Sequence, residues 1–501
     1  MSTFETKIQQ YMDAGFPIIY LHTFEAEKAK SAIKSAAGNS EAILVWDGTD
    51  RVLNIQGDNP AVNYEMIRLP DFLDDRMDML LWDKRQIIVL QSIETFVDDP
   101  AVIARLSKIA GCIYNGLDAT VFVLSPVLNI PGEIEKYVTV LEMDYLSTEE
   151  IEDVIQKFAD EQEVAIRAEL KHQMAGAFKG LTELEITNIL QLAFSESGDL
   201  TSSKTKLIFE QKSQMIKKAG ILEMVRLKED LGDIGGLDNL KSWLQRKKKV
   251  FADLDRAQAF GVDMPKGVLI AGIPGCGKSL SAKATAKLFE VPLLRLDMGR
   301  LLGKYVGESE ANMRKAIGLA EAISPCVLWV DELEKAFAGI GGEGSGAEVT
   351  TRLFGSFLTW LQEKESPVFV VATANDITKL PPELLRKGRF DEIFYVSLPS
   401  DEERQKIFEI HIAKRRKADL PAIKKEMGAI LNKTKGYSGA DIEGVVREGV
   451  EYAFADNKSC LEAADIIRAI GNTHSLSEIM KEPIEKMKKE YEDRKFKNAS
   501  R

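Results

Sequence analysis

Gly272-Ile273-Pro274-Gly275-Cys276-Gly277-Lys278-Ser279 is a complete GxxxxGK[ST] loop. An apolar run, Gly267-Val268-Leu269-Ile270-Ala271, leads into it, and helix-forming residues from Leu280 to Glu290 lead out. Strand, glycine loop and helix in that order predict a phosphate cradle rather than a chance match. The glycines let consecutive N–H groups turn inward, and Lys278 adds a cation at the β and γ oxygens. Ser279 offers its hydroxyl to Mg2+, and the helix N-terminus contributes its dipole. The stretch predicts an α/β fold of the P-loop type holding a nucleoside triphosphate.

Outward from the loop, Cys326-Val327-Leu328-Trp329-Val330-Asp331-Glu332 is an apolar strand ending in two carboxylates. Such a strand places Asp331 beside Mg2+ at Ser279, and Glu332 where it polarises an attacking water. A pure binding module has no need of Glu332, so its presence points to hydrolysis. The next strand, Val368-Phe369-Val370-Val371-Ala372-Thr373, ends near Asn375, whose amide suits orienting that water or sensing the γ-phosphate. Arg386 and Arg389 follow within Leu384-Leu385-Arg386-Lys387-Gly388-Arg389-Phe390-Asp391. Cys276 admits two readings: a small side chain that packs, or a thiol acidified by the helix N-terminus and open to oxidation.

In order and spacing these segments resemble the AAA ATPase family, from Asp233 to Gly471. Asp233-Ile234-Gly235-Gly236-Leu237 is similar to the family's entry motif beside the adenine. Gly272 to Ser279 matches Walker A, with Leu280 next to it, and Asp331-Glu332 matches Walker B. The resemblance makes Asn375 sensor 1, Arg386 and Arg389 the paired arginine fingers, and His411 an adenosine-side histidine. Lys435-Gly436-Tyr437-Ser438-Gly439-Ala440-Asp441 is similar to the lid motif, which brings Gly439 and Ala440 to the nucleotide. It implies ATP and Mg2+ as cofactors and fingers that act in trans, hence a homo-oligomeric ring, usually a hexamer. It also implies a first pore loop at Leu302 to Ser309, where Tyr305 and Val306 would grip a polypeptide, and a second at the glycine-rich Ala338 to Ala347.

The first half reads as a worn copy of the second. Glu135 to Val140 runs parallel to Asp391 to Val396, and Lys179 to Ile186 mirrors Lys435 to Ile442, both at an offset of 256 residues. Val121 to Leu124 matches Val368 to Val371 at an offset of 247. The position of the phosphate loop, after Ile18-Ile19-Tyr20-Leu21, reads His22-Thr23-Phe24-Glu25-Ala26-Glu27, with no glycine or lysine. Two carboxylates there repel a triphosphate. Ile87-Ile88-Val89-Leu90 continues into Gln91-Ser92 rather than an Asp-Glu pair. The expected fold is a pair of tandem α/β/α modules, each with a small helical lid, the first degenerate. The expected divisions are a degenerate domain over 1–205, a helical linker over 206–230, an ATPase subdomain over 231–400, a helical lid over 401–475 and a helical tail over 476–501. The tail, interrupted at Pro483, is read either as fraying or as docking on a neighbouring subunit.

Composition bounds the partners. Of 501 residues, 66 are basic and 78 acidic, and the net charge of −12 argues against broad nucleic-acid binding. The basic cluster Gln245-Arg246-Lys247-Lys248-Lys249 is read as a solvated helix face. No apolar run approaches the roughly 20 residues that span a bilayer. Met1 to Glu5 carries no basic region ahead of an apolar core, so a secretory leader is not expected. Four scattered cysteines fit a reducing compartment, the cytoplasm or a plastid stroma. With no HExxH motif and four scattered histidines, a metalloprotease is excluded.

A domain without a phosphate loop ahead of one intact AAA module narrows the resemblance to the hypothetical chloroplast reading frame forty-six type of cyanobacteria and algal plastids. The expected function is an ATP-hydrolysing ring that remodels or threads a protein client. A nucleotide-dependent scaffold that recruits partners through the first domain is the alternative.

Overall fold

The computed structural model describes residues 3–23, 25–38, 42–56, 66–79, 85–93, 96–126, 128–143, 145–197, 205–218, 220–301, 308–337, 355–386 and 388–500. The chain divides into two compact units, Met1–Leu146 with Thr182–Asn188, and Ser147–Leu181 with Ile189–Arg501. The pore-loop residues Tyr305 and Val306 and the glycine-rich stretch 338–347 lie outside the described residues.

The first unit is built on β1 (Ile18–His22), β2 (Ala42–Trp46), β3 (Val52–Asn54), β4 (Gln86–Gln91), β5 (Ala119–Ser125) and β6 (Val138–Glu142), in the order β3-β2-β4-β5-β1-β6. All pair in parallel except β3, which runs antiparallel to β2. The second unit carries β7 (Leu222–Val225), β8 (Gly267–Gly272), β9 (Leu293–Leu296), β10 (Cys326–Val330), β11 (Val368–Ala374), β12 (Glu392–Val396) and β13 (Lys497–Asn498). Their order is β7-β9-β10-β11-β8-β12-β13, parallel except for β7. Without the edge strands β3, β7 and β13, the two sheets share one topology. The inner strands β5, β8, β10 and β11 are buried throughout, as continuous apolar runs must be when helices cover both faces. Each sheet has two apolar layers, one around Leu73 and Leu106 and one around Ile33 and Phe122 in the first, and one around Phe357 and Leu361 and one around Trp243 and Phe369 in the second.

The repeat is real, and two of its three alignments shift. Glu183 and Gly439 both begin helices, at the expected offset, and Gly180 and Gly436 ahead of them take φ of 78° and 83°. Thr182 exchanges hydrogen bonds with Glu185 as Ser438 does with Asp441. Val121, however, is third in β5 whereas Val368 is first in β11, a slip of two. Glu135–Tyr137 forms a 3-10 turn and the strand begins only at Val138, a slip of two against Glu392. One valine in an apolar strand looks like the next, while a glycine–cap signature occupies a fixed place.

Three further expectations change. The stretch 206–230 is not wholly helical: after the helix Thr205–Lys218 the chain forms β7, antiparallel to β9, with Leu222 and Met224 buried and Glu223 exposed. The first domain does not run through residue 205, because Ser147–Leu181 packs in the second unit. Gly180 lies so close to Ile323 that a Cβ would approach its Cγ1 to 2.5 Å, and Lys179 Nζ donates to the Ser324 carbonyl. Finally, the segment after Ser475 is ordered against this chain's own sheet edge rather than frayed. Short helix Leu476–Ile479 ends at Met480, helix Lys481–Asp493 restarts with Pro483 in its first turn, and β13 joins the sheet edge. The basic cluster is the expected solvated face, with Lys247 and Lys248 paired to Asp391 and Glu290.

Candidate functional site

Parallel strands deliver their C-terminal ends to one edge, and the second unit gathers its chemistry there. Gly272 ends β8 with φ of 146°, so close to β12 that a Cβ would come within 2.1 Å of the Val396 carbonyl oxygen. Gly275 and Gly277 turn the loop at φ of 75° and 90°, and the helix Lys278–Phe289 begins directly after. The result is a cavity of about 470 Å3, the size of small-molecule sites in general.

Around it stand Asp233, Ile234 and Gly235, Pro274 through Leu280, Asp331, Glu332, Asn375, His411, Gly439 and Ala440, all expected from the sequence. Gly272 and Ile273 are buried behind the loop and do not line the cavity. Lys278 Nζ donates to the carbonyls of Gly272 and Ile273, both at 2.8 Å, and burial lowers its pKa to about 8. The ammonium is thus held inside the loop by two neutral acceptors that an incoming phosphate can replace.

Asp331 sits at the centre of the polar edge. Its Oδ1 accepts from Thr373 Oγ1 at 2.6 Å and from Ser279 Oγ at 3.4 Å, while Arg295 stands 3.6 Å from Oδ2. A hydroxyl and a carboxylate oxygen at that spacing fit adjacent positions of an octahedral magnesium shell, whose neighbouring ligands lie about 2.9 Å apart. Glu332 takes φ of 50°, a left-handed backbone rare for a side chain with a Cβ. Its N–H is anchored on Thr373 Oγ1 at 3.1 Å, and Lys335 pairs with its carboxylate at 2.5 Å. Asn375 is fixed through its backbone, whose N–H donates to Glu334 Oε1 at 3.0 Å.

The opposite wall comes from the lid, whose helices Asp401–Arg416 and Gly439–Ala455 pack on their own core of Phe408, Ile412, Val445 and Ile466. Capping boxes fix both helix starts, Ser400 with Glu403 and Ser438 with Asp441. Glu403 also accepts the Leu237 N–H at 3.1 Å, and the Ala440 N–H donates to the Gly275 carbonyl at 3.0 Å. Hydrogen bonds therefore tie lid, entry turn and phosphate loop, and Lys414 on the lid adds an ion pair to Asp233 at 2.7 Å. Burial holds the His411 pKa below its ordinary value, with Glu443 3.7 Å away as the opposing influence.

Cys276 goes against the acidified reading. Burial pushes its thiol up to about 11, opposite in direction to what a helix N-terminus would do. Arg386 is exposed, Arg389 donates to the Leu358 carbonyl at 2.8 Å, and neither reaches the cavity. Sequence reasoning missed Thr373, Ser397, Pro399, Glu403, Ile407, Glu443 and Ser500 as lining residues. Thr373 and Glu403 were within reach, as the last strand residue before Asn375 and the third position of a capping box.

In the first unit the matching connection is shorter. Residues 23–25 alone join β1 to the helix Ala26–Ala37, where residues 273–277 join β8 to its helix. Ser92 takes φ of 57° at the point equivalent to Glu332, six residues past a strand start, so the backbone turn persists without the carboxylates. Glu25 accepts the Glu183 N–H at 2.8 Å, and burial raises its pKa.

The chain matches the family model of the ATPase family associated with various cellular activities (AAA) over residues 268–398. Residues 4–143 match the N-terminal domain of SpoVK-like AAA ATPases, and 149–219 their second domain. The AAA domain-containing protein ycf46 of Guillardia theta is 35% identical over 95% of this chain and 92% of its own length. That of Pyropia yezoensis is 34% identical over 99% of each. A cell division cycle protein 48 homolog of Archaeoglobus fulgidus is 36% identical over 43% of this chain and 29% of its own length.

Proposed function

This chain belongs to the AAA ATPase family, in the group of the ycf46 proteins, and we propose that it is an ATP-hydrolysing ring protein that remodels or threads a polypeptide client. One observation carries the reading. Glu332 lines the cavity, whereas Arg386 and Arg389 stand outside it. The site has its base within the chain, and no arginine stands among the described residues that line it. An arginine finger on the transferring phosphoryl group is worth roughly 10^3–10^5 in rate. A second copy of the chain is the source that fits.

In this reading Ile234, Gly235, His411, Gly439 and Ala440 hold the nucleoside. The loop amides and Lys278 hold the β and γ phosphates, Glu332 takes the proton of the attacking water, and Asn375 orients that water. Ser279 and Asp331 would hold magnesium, which neutralises charge developing on the phosphate oxygens. Tyr305 and Val306 grip the client, and the first unit, with no phosphate loop, docks partners. No described helix is long and apolar enough to cross a membrane. Free cysteines without a disulfide suit the cytoplasm or a stroma.

The test is complementation. Turnover per subunit should rise steeply with protein concentration. Glu332→Gln and Arg389→Ala chains, each nearly inactive alone, should recover measurable turnover when mixed, because one supplies the finger and the other the base. A concentration-independent rate with no recovery on mixing would remove the ring reading.

A further inference from the structure

The helix Asp238–Phe251 begins without a side-chain cap, at Leu237 with φ of 56°. Its first free N–H groups are satisfied from the far end of the sequence instead. Those of Asn239 and Leu240 donate to the Ala499 carbonyl at 3.0 and 3.1 Å. Asn239 Nδ2 donates to the carbonyls of Asn498 and Ser500, at 3.1 and 2.6 Å. On its other side the segment is a sheet strand: Lys497 and Asn498 pair with Phe394 and Tyr395, and the Ala499 N–H donates to the Tyr395 carbonyl at 2.8 Å. Ala499 is fully buried, and Ser500, almost as buried, lines the nucleotide cavity.

The turn just ahead of this helix, Asp233 to Gly235, lines the same cavity. Residues 497–500 therefore hold the N-terminal end of the helix that follows the turn and extend the cavity wall. Ser500 does so beside Ser397 and Pro399, which follow β12 and line the same cavity.

We propose that Asn239 and residues 497–500 form a positioning clamp for the nucleoside moiety, so that docking of this segment and purine nucleotide binding strengthen each other. The clamp rests on the nucleotide-site reading and adds to it a separate element for the base and sugar. It acts on the nucleoside and leaves the phosphate loop untouched, and because linkage is reciprocal, nucleotide must protect the clamp as much as the clamp favours nucleotide.

The full chain is titrated with ADP and, separately, with inorganic tripolyphosphate, which has no nucleoside. Asn239→Ala and a deletion of residues 497–501 should each weaken ADP about tenfold and leave tripolyphosphate within about twofold of the parent. Lys278→Ala should weaken both ligands. If the parent binds neither ligand, the nucleotide-site reading fails first. If it binds both and the clamp variants bind ADP as the parent does, or lose both ligands in equal measure, the clamp is overturned. Should those variants fail to fold, hydrogen exchange on the unaltered chain decides. Saturating ADP should slow exchange at the Ala499 amide about tenfold, and an unchanged rate overturns the proposal.

Discussion

Lys212, on the helix Thr205–Lys218, is 2% exposed, with its Nζ donating to the Ala177 carbonyl at 2.8 Å. Burial lowers its pKa to about 8, against about 10.4 in an unfolded chain, so holding the ammonium inside costs roughly 3 kcal/mol. Between those two values the unfolded chain carries more protons than the folded one, and stability climbs as pH rises across the window. The cost is fully present below pH 8. Lys212→Met should therefore stabilise the chain by about 1–2 kcal/mol at pH 7, after loss of one hydrogen bond, and by less at pH 9.5. Urea unfolding at the two pH values measures this, and a loss at both would show that the ammonium has a role beyond packing. No local pattern announced this lysine, because its burial depends on partners distant in sequence. Cys276 is a related case: its loop position was legible, whereas its raised pKa follows from burial that only the closed loop creates. Glu332 was legible in identity and not in its left-handed backbone.

At the scale of elements, short-range signals were readable and edge strands were not. The phosphate loop, the strand ending at Asp331 and the lid caps announce themselves through glycines, continuous apolar runs and Ser-x-x-Glu or Ser-x-x-Asp spacings. β7 has only four residues and β13 only two, too short for an alternation count to stand out. β13 is held by what precedes it: the Tyr491 ring stacks on Tyr395 with centroids 4.0 Å apart, in the layer that contains Ala374 and Ile377. Its hydroxyl is buried and has no hydrogen-bond partner among the described residues. An orphaned buried hydroxyl stabilises nothing, so Tyr491→Phe should be neutral or stabilising by about 1 kcal/mol. Tyr491→Ala, which removes the ring from a packed layer, should cost about 3–5 kcal/mol. Thermal melting of both variants checks the pair, and a substantial loss in Tyr491→Phe would mean that the hydroxyl holds an ordered water or polar partner.

Across the whole molecule, the sequence repeat foretold two sheets of one topology, and the loss of chemistry in the first copy extends to its backbone. The connection after β1 is two residues shorter than that after β8, so the first unit is missing the length of chain that wraps phosphates as well as the lysine. The carboxylate of Glu25 stands in that short connection, and Gln91-Ser92 replaces the acidic pair. Assigning 147–181 to the second unit was beyond the sequence, because the approach of Gly180 to Ile323 joins residues far apart and leaves no periodic trace. The consequence for binding is a stoichiometry. The full chain, titrated calorimetrically with a non-hydrolysable ATP analogue and magnesium, should take up about one nucleotide per chain. Restoring a lysine to the first unit would not make a second site, since no loop surrounds it; removing Lys278 should abolish the only one. A Lys278→Ala chain that still bound one nucleotide tightly would place a site where the short β1 connection leaves no room for a phosphate cradle, and the first unit would then have to bind by a different geometry from the second.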